Sequence, residues 1–134
     1  MKSIGKFGEY RVLACLLERD IEAYQALDIT QPDYDITAII SANKIVRIQV
    51  KSTDLHNAGT NNAIARIDKN YDFLVVVIFE NKSSSRFFIM SKAEAIAEKG
   101  VKKQLGVTQK RNKISQVKQS LIPFEDRWEK IENA

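Results

Sequence analysis

The chain is poor in the residues that staple, punctuate or coordinate. Its 134 residues include one cysteine, one histidine, one tryptophan, two prolines and five glycines. A lone cysteine excludes an internal disulfide, so the framework of a small secreted protein is ruled out. Two prolines and no low-complexity stretch leave nothing to mark a linker between domains. The single His56 cannot build a zinc site of the usual kind, and its polar surroundings place it in a surface loop. The longest apolar run, Phe73 to Phe79, is seven residues, against the roughly 20 that a membrane-crossing helix needs. Val12-Leu13-Ala14-Cys15 spells a lipoprotein-type cleavage box, but Glu9 and Arg11 interrupt the apolar stretch that a secretory leader requires. Cys15 therefore reads as a small core residue of a helix. The chain is expected to be intracellular (cytoplasmic), with no membrane contact. It has no phosphate-cradling Gly-rich loop, Cys/His cluster or Ser-His-Asp signature.

What is present is ordinary in bulk. Hydrophobic residues make up 44% and charged residues 28%, as in soluble globular proteins. The length predicts a single domain over 1–134 with one sizeable core. A net charge of +4 permits an anionic partner.

Periodicity supplies the elements. Residues 4 to 19 predict a helix in which Glu9, Val12, Leu13 and Leu16 share one face. Tyr24 to Asp28 reads as a short strand and Thr30-Gln31-Pro32-Asp33 as a loop. Tyr34 to Ile40 and Lys44 to Lys51 form a strand pair across Ser41-Ala42-Asn43. Residues 54 to 62 form a loop, and Ala63 to Lys69 is open between helix and strand. Phe73 to Phe79 is a strand buried on both faces, with a polar turn, Asn81 to Ser85, before the strand Arg86 to Met90. Ser91-Lys92-Ala93-Glu94 is a capping box for a helix that stops at Gly100. A last short helix carries Trp128 and Ile131, with Trp128 and Phe124 capping the core. The class is α/β, a central mixed sheet flanked by helices.

Symmetric pairing of the hairpin about Asn43 sets Ile36, Ala38 and Ile40 opposite Val50, Ile48 and Val46 on one apolar face. The other face then opposes Asp35 to Lys51, Thr37 to Gln49 and Ile39 to Arg47, clustering Asp35, Gln49 and Lys51 at the open end. Glu9, on the helix face that should meet the sheet, wants a cation, which a metal ion or Lys51 would supply. These residue types suit phosphodiester hydrolysis. Mg²⁺ takes oxygens from one or two carboxylates, water and the substrate phosphate. Asp35 can be that carboxylate, with the Gln49 amide oxygen and the Val50 carbonyl as neutral ligands. Lys51 can orient water or stabilise charge on the phosphorus.

Glu9, Asp35 and Gln49-Val50-Lys51, in this order, resemble the PD-(D/E)XK nuclease superfamily, whose fold is restriction-endonuclease-like. Gly8-Glu9, Tyr34-Asp35-Ile36 and Arg47-Ile48-Gln49-Val50-Lys51-Ser52 are similar to the small branch of intron-encoded homing endonucleases. The Tyr71 to Val76 stretch, Phe88-Ile89-Met90 and Asp126-Arg127-Trp128 extend that likeness over most of the chain, and Holliday-junction resolvases are a more distant one. Gln49 stands where the superfamily usually has an acid, removing one negative charge, and the homing-endonuclease branch is similar in this. Asp33 after Pro32 imitates the literal motif letters, but Asp35 directly precedes the apolar strand and is preferred.

From Lys99 to Lys118 there are seven basic residues and no acid. Lys102, Lys103, Lys110, Arg111 and Lys113, together with Lys6, are the candidate nucleic-acid contacts. The whole predicts a metal-dependent DNA endonuclease using Mg²⁺ or Mn²⁺, with Glu9, Asp35, Gln49 and Lys51 as the catalytic set and Glu9, Asp35, Gln49 and Val50 around the metal. Cutting both strands of a duplex calls for a homodimer or homotetramer. A non-catalytic DNA-binding or assembly module, or an RNA- or junction-directed nuclease, are the alternatives.

Overall fold

In a computed structural model, residues 2–26, 33–57 and 61–134 are described. The elements run α1 (Ile4–Glu18), β1 (Glu22–Gln25), β2 (Ile36–Ser41), β3 (Lys44–Asp54), β4 (Phe73–Phe79), β5 (Ser85–Ser91), α2 (Lys92–Lys99), β6 (Thr108–Arg111) and β7 (Ile114–Val117), then a 3-10 helix (Gln119–Phe124) and α3 (Glu129–Glu132). Strands β1 to β5 form one sheet in chain order, antiparallel throughout except for the parallel pair β3–β4. This is a mixed sheet flanked by helices, as the alternation of patterns predicts. Among the described residues no helix is long and apolar enough to cross a membrane.

The apolar run at 73–79 is apolar because both of its faces are covered. Val75, Val77 and Phe79 point to one core, with Ile36, Ile48 and Val50, beneath Val12 and Leu16 of α1 and the closing Trp128 and Ile131. Leu74, Val76 and Ile78 point to a second core, beneath Ala95 of α2 and Leu105, Val107 and Val117. Strand alternation thus divides the chain's apolar residues between two layers.

Two expectations are corrected here. Ile36 pairs with Ile48 and Ala38 with Val46, with a register shift between Ile39 and Ser41. The hairpin is thus two residues out of step with symmetry about Asn43. A slip of two leaves every side chain on its original face, so the apolar pattern cannot report it. It does change neighbours: the Asp35 amide donates to the Ile48 carbonyl at 2.8 Å, which sets Asp35 beside Gln49 rather than Lys51. The second correction concerns α1, whose buried stripe is Gly8, Val12 and Leu16. Glu9 lies one position round, on the flank, with its side chain 18% exposed.

Gly8 lets α1 approach closely, because a Cβ there would sit 1.8 Å from Ser52 Oγ. Phe7 stacks on Phe79 with ring centroids 5.2 Å apart, and Cys15 packs half-buried against the first core. Burial pushes its thiol up to about 11.

Helix α2 opens on the capping box, Ser91 Oγ accepting from the Glu94 amide at 3.1 Å and Glu94 from the Ser91 amide at 2.8 Å. It closes at Gly100, whose φ of 60° glycine tolerates. The β6–β7 hairpin lies in the basic segment, where periodicity indicated no element. Its two-residue turn, Asn112-Lys113, has φ of 52° and 64°, the left-handed pair that matches the twist of a tight hairpin. Arg86 donates twice to Glu125 at 2.8 Å, and Phe88 bridges to Glu125, so the C-terminal segment blunts the β5 edge.

Smaller differences are matters of extent. The strand expected at Tyr24 to Asp28 is Glu22–Gln25; Ala26 lies beyond it, and 27–28, with 30–32 and 58–60 of the expected loops, lie outside the described residues. Strand β3 runs on to Asp54. Ala63 to Lys69 is neither helix nor strand but turns with one bridge, Ile64 to Leu105.

Candidate active site

Strand β2 begins at Ile36, one residue after Asp35, so β3 continues past it with an open edge. The Asp35 carboxylate closes the first step of that edge. Its Oδ2 accepts the Val50 amide at 2.7 Å and the Gln49 side-chain amide at 3.0 Å. Among the described residues these are the side-chain bonds that Asp35 makes, and they leave Oδ1 available. A residue's N–H and C=O point the same way along a strand, so the Val50 carbonyl faces the same open edge. Gln49 is 6% exposed, yet its Oε1 is buried without any hydrogen-bond partner. An orphaned acceptor of this kind is rare and costly.

Lys51 lies on the face of Gln49, two residues on, beside Val76 of β4. Among the described residues it makes no ion pair within 4 Å. Desolvation lowers its pKa below the ordinary lysine value, against the pull of Asp35, and Arg66 and Lys69 lower it further. Glu9 reaches the same edge from the opposite layer. Burial raises its pKa, the charge of Asp35 raises it again, and Lys6, 3.4 Å away, opposes both. Burial likewise raises Asp35, against the Val50 amide, Lys51 and Lys6. Three ionisable groups are thus each held towards their neutral forms, as is common at functional sites.

These directions carry a stability consequence. A carboxyl raised above its unfolded value stabilises the fold only while protonated, and that contribution is lost as pH rises through the folded pKa. At neutral pH the ionised Asp35 is therefore a net burden. Asp35→Asn keeps an oxygen for the Val50 amide and is expected to raise the Tm by a few degrees at pH 7, with the gain vanishing below the ordinary carboxylate range. Thermal melts of both proteins from pH 3 to 8 check this, and a lower Tm for the variant at pH 7 contradicts it.

Among the described residues no three His, Cys, Asp or Glu side chains form a metal-binding group. The oxygens carried by this edge are those of Asp35, the Gln49 side chain and the Val50 carbonyl, with Glu9 near enough to act electrostatically on Asp35. That set fits a hard divalent cation, which accepts few carboxylates and completes its shell with water.

Arg66 and Lys69, in the crossover from β3 to β4, act electrostatically on Lys51 and were not picked out from the sequence. Only the crossover brings them near, so no local spacing announces them. Lys6 is occupied in part by Glu9. Lys102, Lys103, Arg111 and Lys113 are exposed, on the α2–β6 connection and the β6–β7 hairpin. His56 is exposed, Trp128 is buried in the first core and Phe124 packs on the second.

The chain is thus a mixed sheet flanked by helices, with a carboxylate–amide–lysine cluster where one strand stops short. The chain is similar to a bacterial homing endonuclease of solved structure, with a TM-score of 0.69 and 15% sequence identity over 99% of this chain and 93% of that one. At such identity the likeness shows the fold alone. No protein-family profile matches the chain, and no curated protein matches it in sequence.

Proposed function

We propose that the protein is a metal-dependent DNA endonuclease of the PD-(D/E)XK type, with Glu9, Asp35, Gln49 and Lys51 as its catalytic set. The observation that carries this reading is the buried, unpartnered Oε1 of Gln49 beside a desolvated Asp35. Such an oxygen needs a donor or a cation, and the surrounding oxygens suit Mg²⁺ or Mn²⁺.

When bound, that cation supplies polarisation of a phosphate oxygen and acidification of the attacking water. Asp35 Oδ1, Gln49 Oε1, the Val50 carbonyl and Glu9 would hold it. The Val50 amide fixes the Asp35 carboxylate in the plane of the sheet, so the ligand is oriented before substrate arrives. Lys51, which makes no ion pair among the described residues, would orient the water and meet negative charge growing on the phosphorus. Lys102, Lys103, Lys110, Arg111 and Lys113 would contact the DNA. Lys6 would serve chiefly to offset Glu9. Cleaving both strands would take a symmetric dimer or tetramer.

Incubation with supercoiled plasmid and Mg²⁺ or Mn²⁺, against a chelator control, tests the reading. Metal-dependent nicking is expected, and binding of DNA without nicking in any metal would instead make the chain a non-cleaving module. Structured RNA and branched DNA in the same panel score the other substrates.

Gln49→Glu probes the ligand set directly. A second carboxylate would then abut Asp35 in place of an amide donor, and like charges at that separation repel. Without divalent ions the variant's Tm is expected to fall by several degrees, and with Mg²⁺ to recover fully. A Tm shift unaffected by Mg²⁺ would remove Gln49 from the site.

A further inference from the structure

The β6–β7 hairpin lies outside the cluster just described. Thr108 pairs with Val117, Gln109 with Gln116, Lys110 with Ser115 and Arg111 with Ile114. Alternation sorts these onto two faces. Thr108 and Val117 are buried, so their face turns inward at the root. The opposite face, carrying Gln109, Gln116, Arg111 and Ile114, turns outward.

The root is fixed. The amides of Val107 and Thr108 donate to the Asn61 carbonyl at 2.9 and 3.0 Å, and that of Lys118 to the Val107 carbonyl at 3.0 Å. Beyond the root the two strands pack mainly on each other. At about 3.3 Å per residue the free part of the ribbon reaches roughly 10 Å with its turn. The major groove of B-DNA is about 8.5 Å deep and about 12 Å wide, and it admits a two-stranded ribbon. The outward face also has the right chemistry. Glutamine pairs bidentately with an adenine edge, arginine with a guanine edge, and an apolar side chain meets the thymine methyl. Ile114 is 62% exposed on an otherwise polar outward face. The ribbon is rooted in the second core, on the side of the sheet to which Gln49 and Lys51 project, since they pair with Leu74 and Val76 of that core.

We propose that this hairpin enters the major groove of duplex DNA and that Arg111, Gln109 and Gln116 set the base preference of the protein. The proposal rests on the reading of the chain as a DNA endonuclease and adds the element that chooses where it acts. An RNA duplex is excluded as the target of this element, because its major groove is too narrow for side chains to read.

Selection of bound duplexes from a randomised DNA pool tests it, using the full chain in chelator so that strands stay intact. An enriched motif is expected with the wild-type protein. Arg111→Ala and Arg111→Lys should each lower the preference at one G·C position by about 5- to 150-fold. Gln109→Ala and Gln116→Ala should do so at A·T positions, other positions holding. Arg111→Lys keeps the charge, so its salt dependence should match the wild type, which separates lost readout from lost electrostatics. A motif that all four variants leave unchanged overturns the proposal, and so does a pool that the wild-type protein does not enrich. Plasmid nicking is scored separately. Enrichment without nicking keeps the ribbon's role and removes the nuclease reading, whereas nicking without enrichment does the reverse.

Discussion

Lys51→Met is expected to lower single-turnover nicking of plasmid DNA by about 10²–10³-fold, the loss that follows removal of one aimed charge-stabilising donor. Methionine keeps most of the aliphatic stem, so the change deletes the ammonium and little else. DNA affinity, measured by gel shift in chelator, should change less than threefold or so, because one charge among many contributes modestly to phosphate neutralisation. Stability should move the other way. The Lys51 pKa is lowered mainly by desolvation, so its contribution to stability is fully present above the unfolded pKa and is lost as pH falls through the folded one. At neutral pH the charged form is the costly one, and the methionine variant should melt no lower than the wild type. A variant that nicks at the wild-type rate would take Lys51 out of the chemistry. One that loses activity by unfolding would leave its role open to Lys51→Arg, whose planar fork does not reproduce an ammonium and should stay inactive while folded.

The largest effect on stability is expected from Gly8→Ala. The added methyl would meet Ser52 Oγ at 1.8 Å and Ser52 Cβ at 3.0 Å. The hydroxyl can rotate away, but the Cβ moves only with the backbone of β3. Overpacking of this kind costs about 1–3 kcal/mol, or roughly 3–12 °C in Tm at this chain length. Ser52→Gly in the same background should restore most of it, a strongly non-additive pair. Ser52→Ala alone should be close to neutral, because Ser52 Oγ is buried with no partner to lose. The activity of Gly8→Ala should fall by more than the unfolded fraction explains, since a helix pushed off β3 carries Glu9 away from Asp35. Thermal melts alongside nicking rates of the single and double variants decide this, and an unchanged Tm for Gly8→Ala contradicts the close packing of α1.

How much of this could be read from the chain depends on which signals are local. Strand β4 was legible to the residue, because a run buried on both faces has nothing polar to blur its ends. The helix after Ser91 was legible because a capping box is a four-residue event. The shared face of Gln49 and Lys51 follows from period two alone. The register of β2 against β3 does not, since a two-residue slip is invisible to that period; the turn at Ala42-Asn43 supplies one residue of it and the irregularity between Ile39 and Ser41 the other. The flank position of Glu9 was obscured because Gly8, a residue without a side chain, begins the buried stripe. The β6–β7 hairpin was hidden by its composition. Its strands are Lys, Arg, Gln and Ser with few apolar markers, and only Asn112, a residue tolerant of left-handed backbone, signalled a turn.

Trp128 is the chain's sole tryptophan, buried beside Phe87 with ring centroids 5.6 Å apart. Its layer is that of α1, on the far side of the sheet from the hairpin. The molecule thus carries a single indole fluorophore, selectively excited at the red edge of protein absorption, that reports on one layer only. Its emission should be blue-shifted in the folded state and should follow the loosening of α1 in Gly8→Ala. It should stay silent when DNA is added, which gives an optical zero against which docking at the opposite layer can be measured with an external dye.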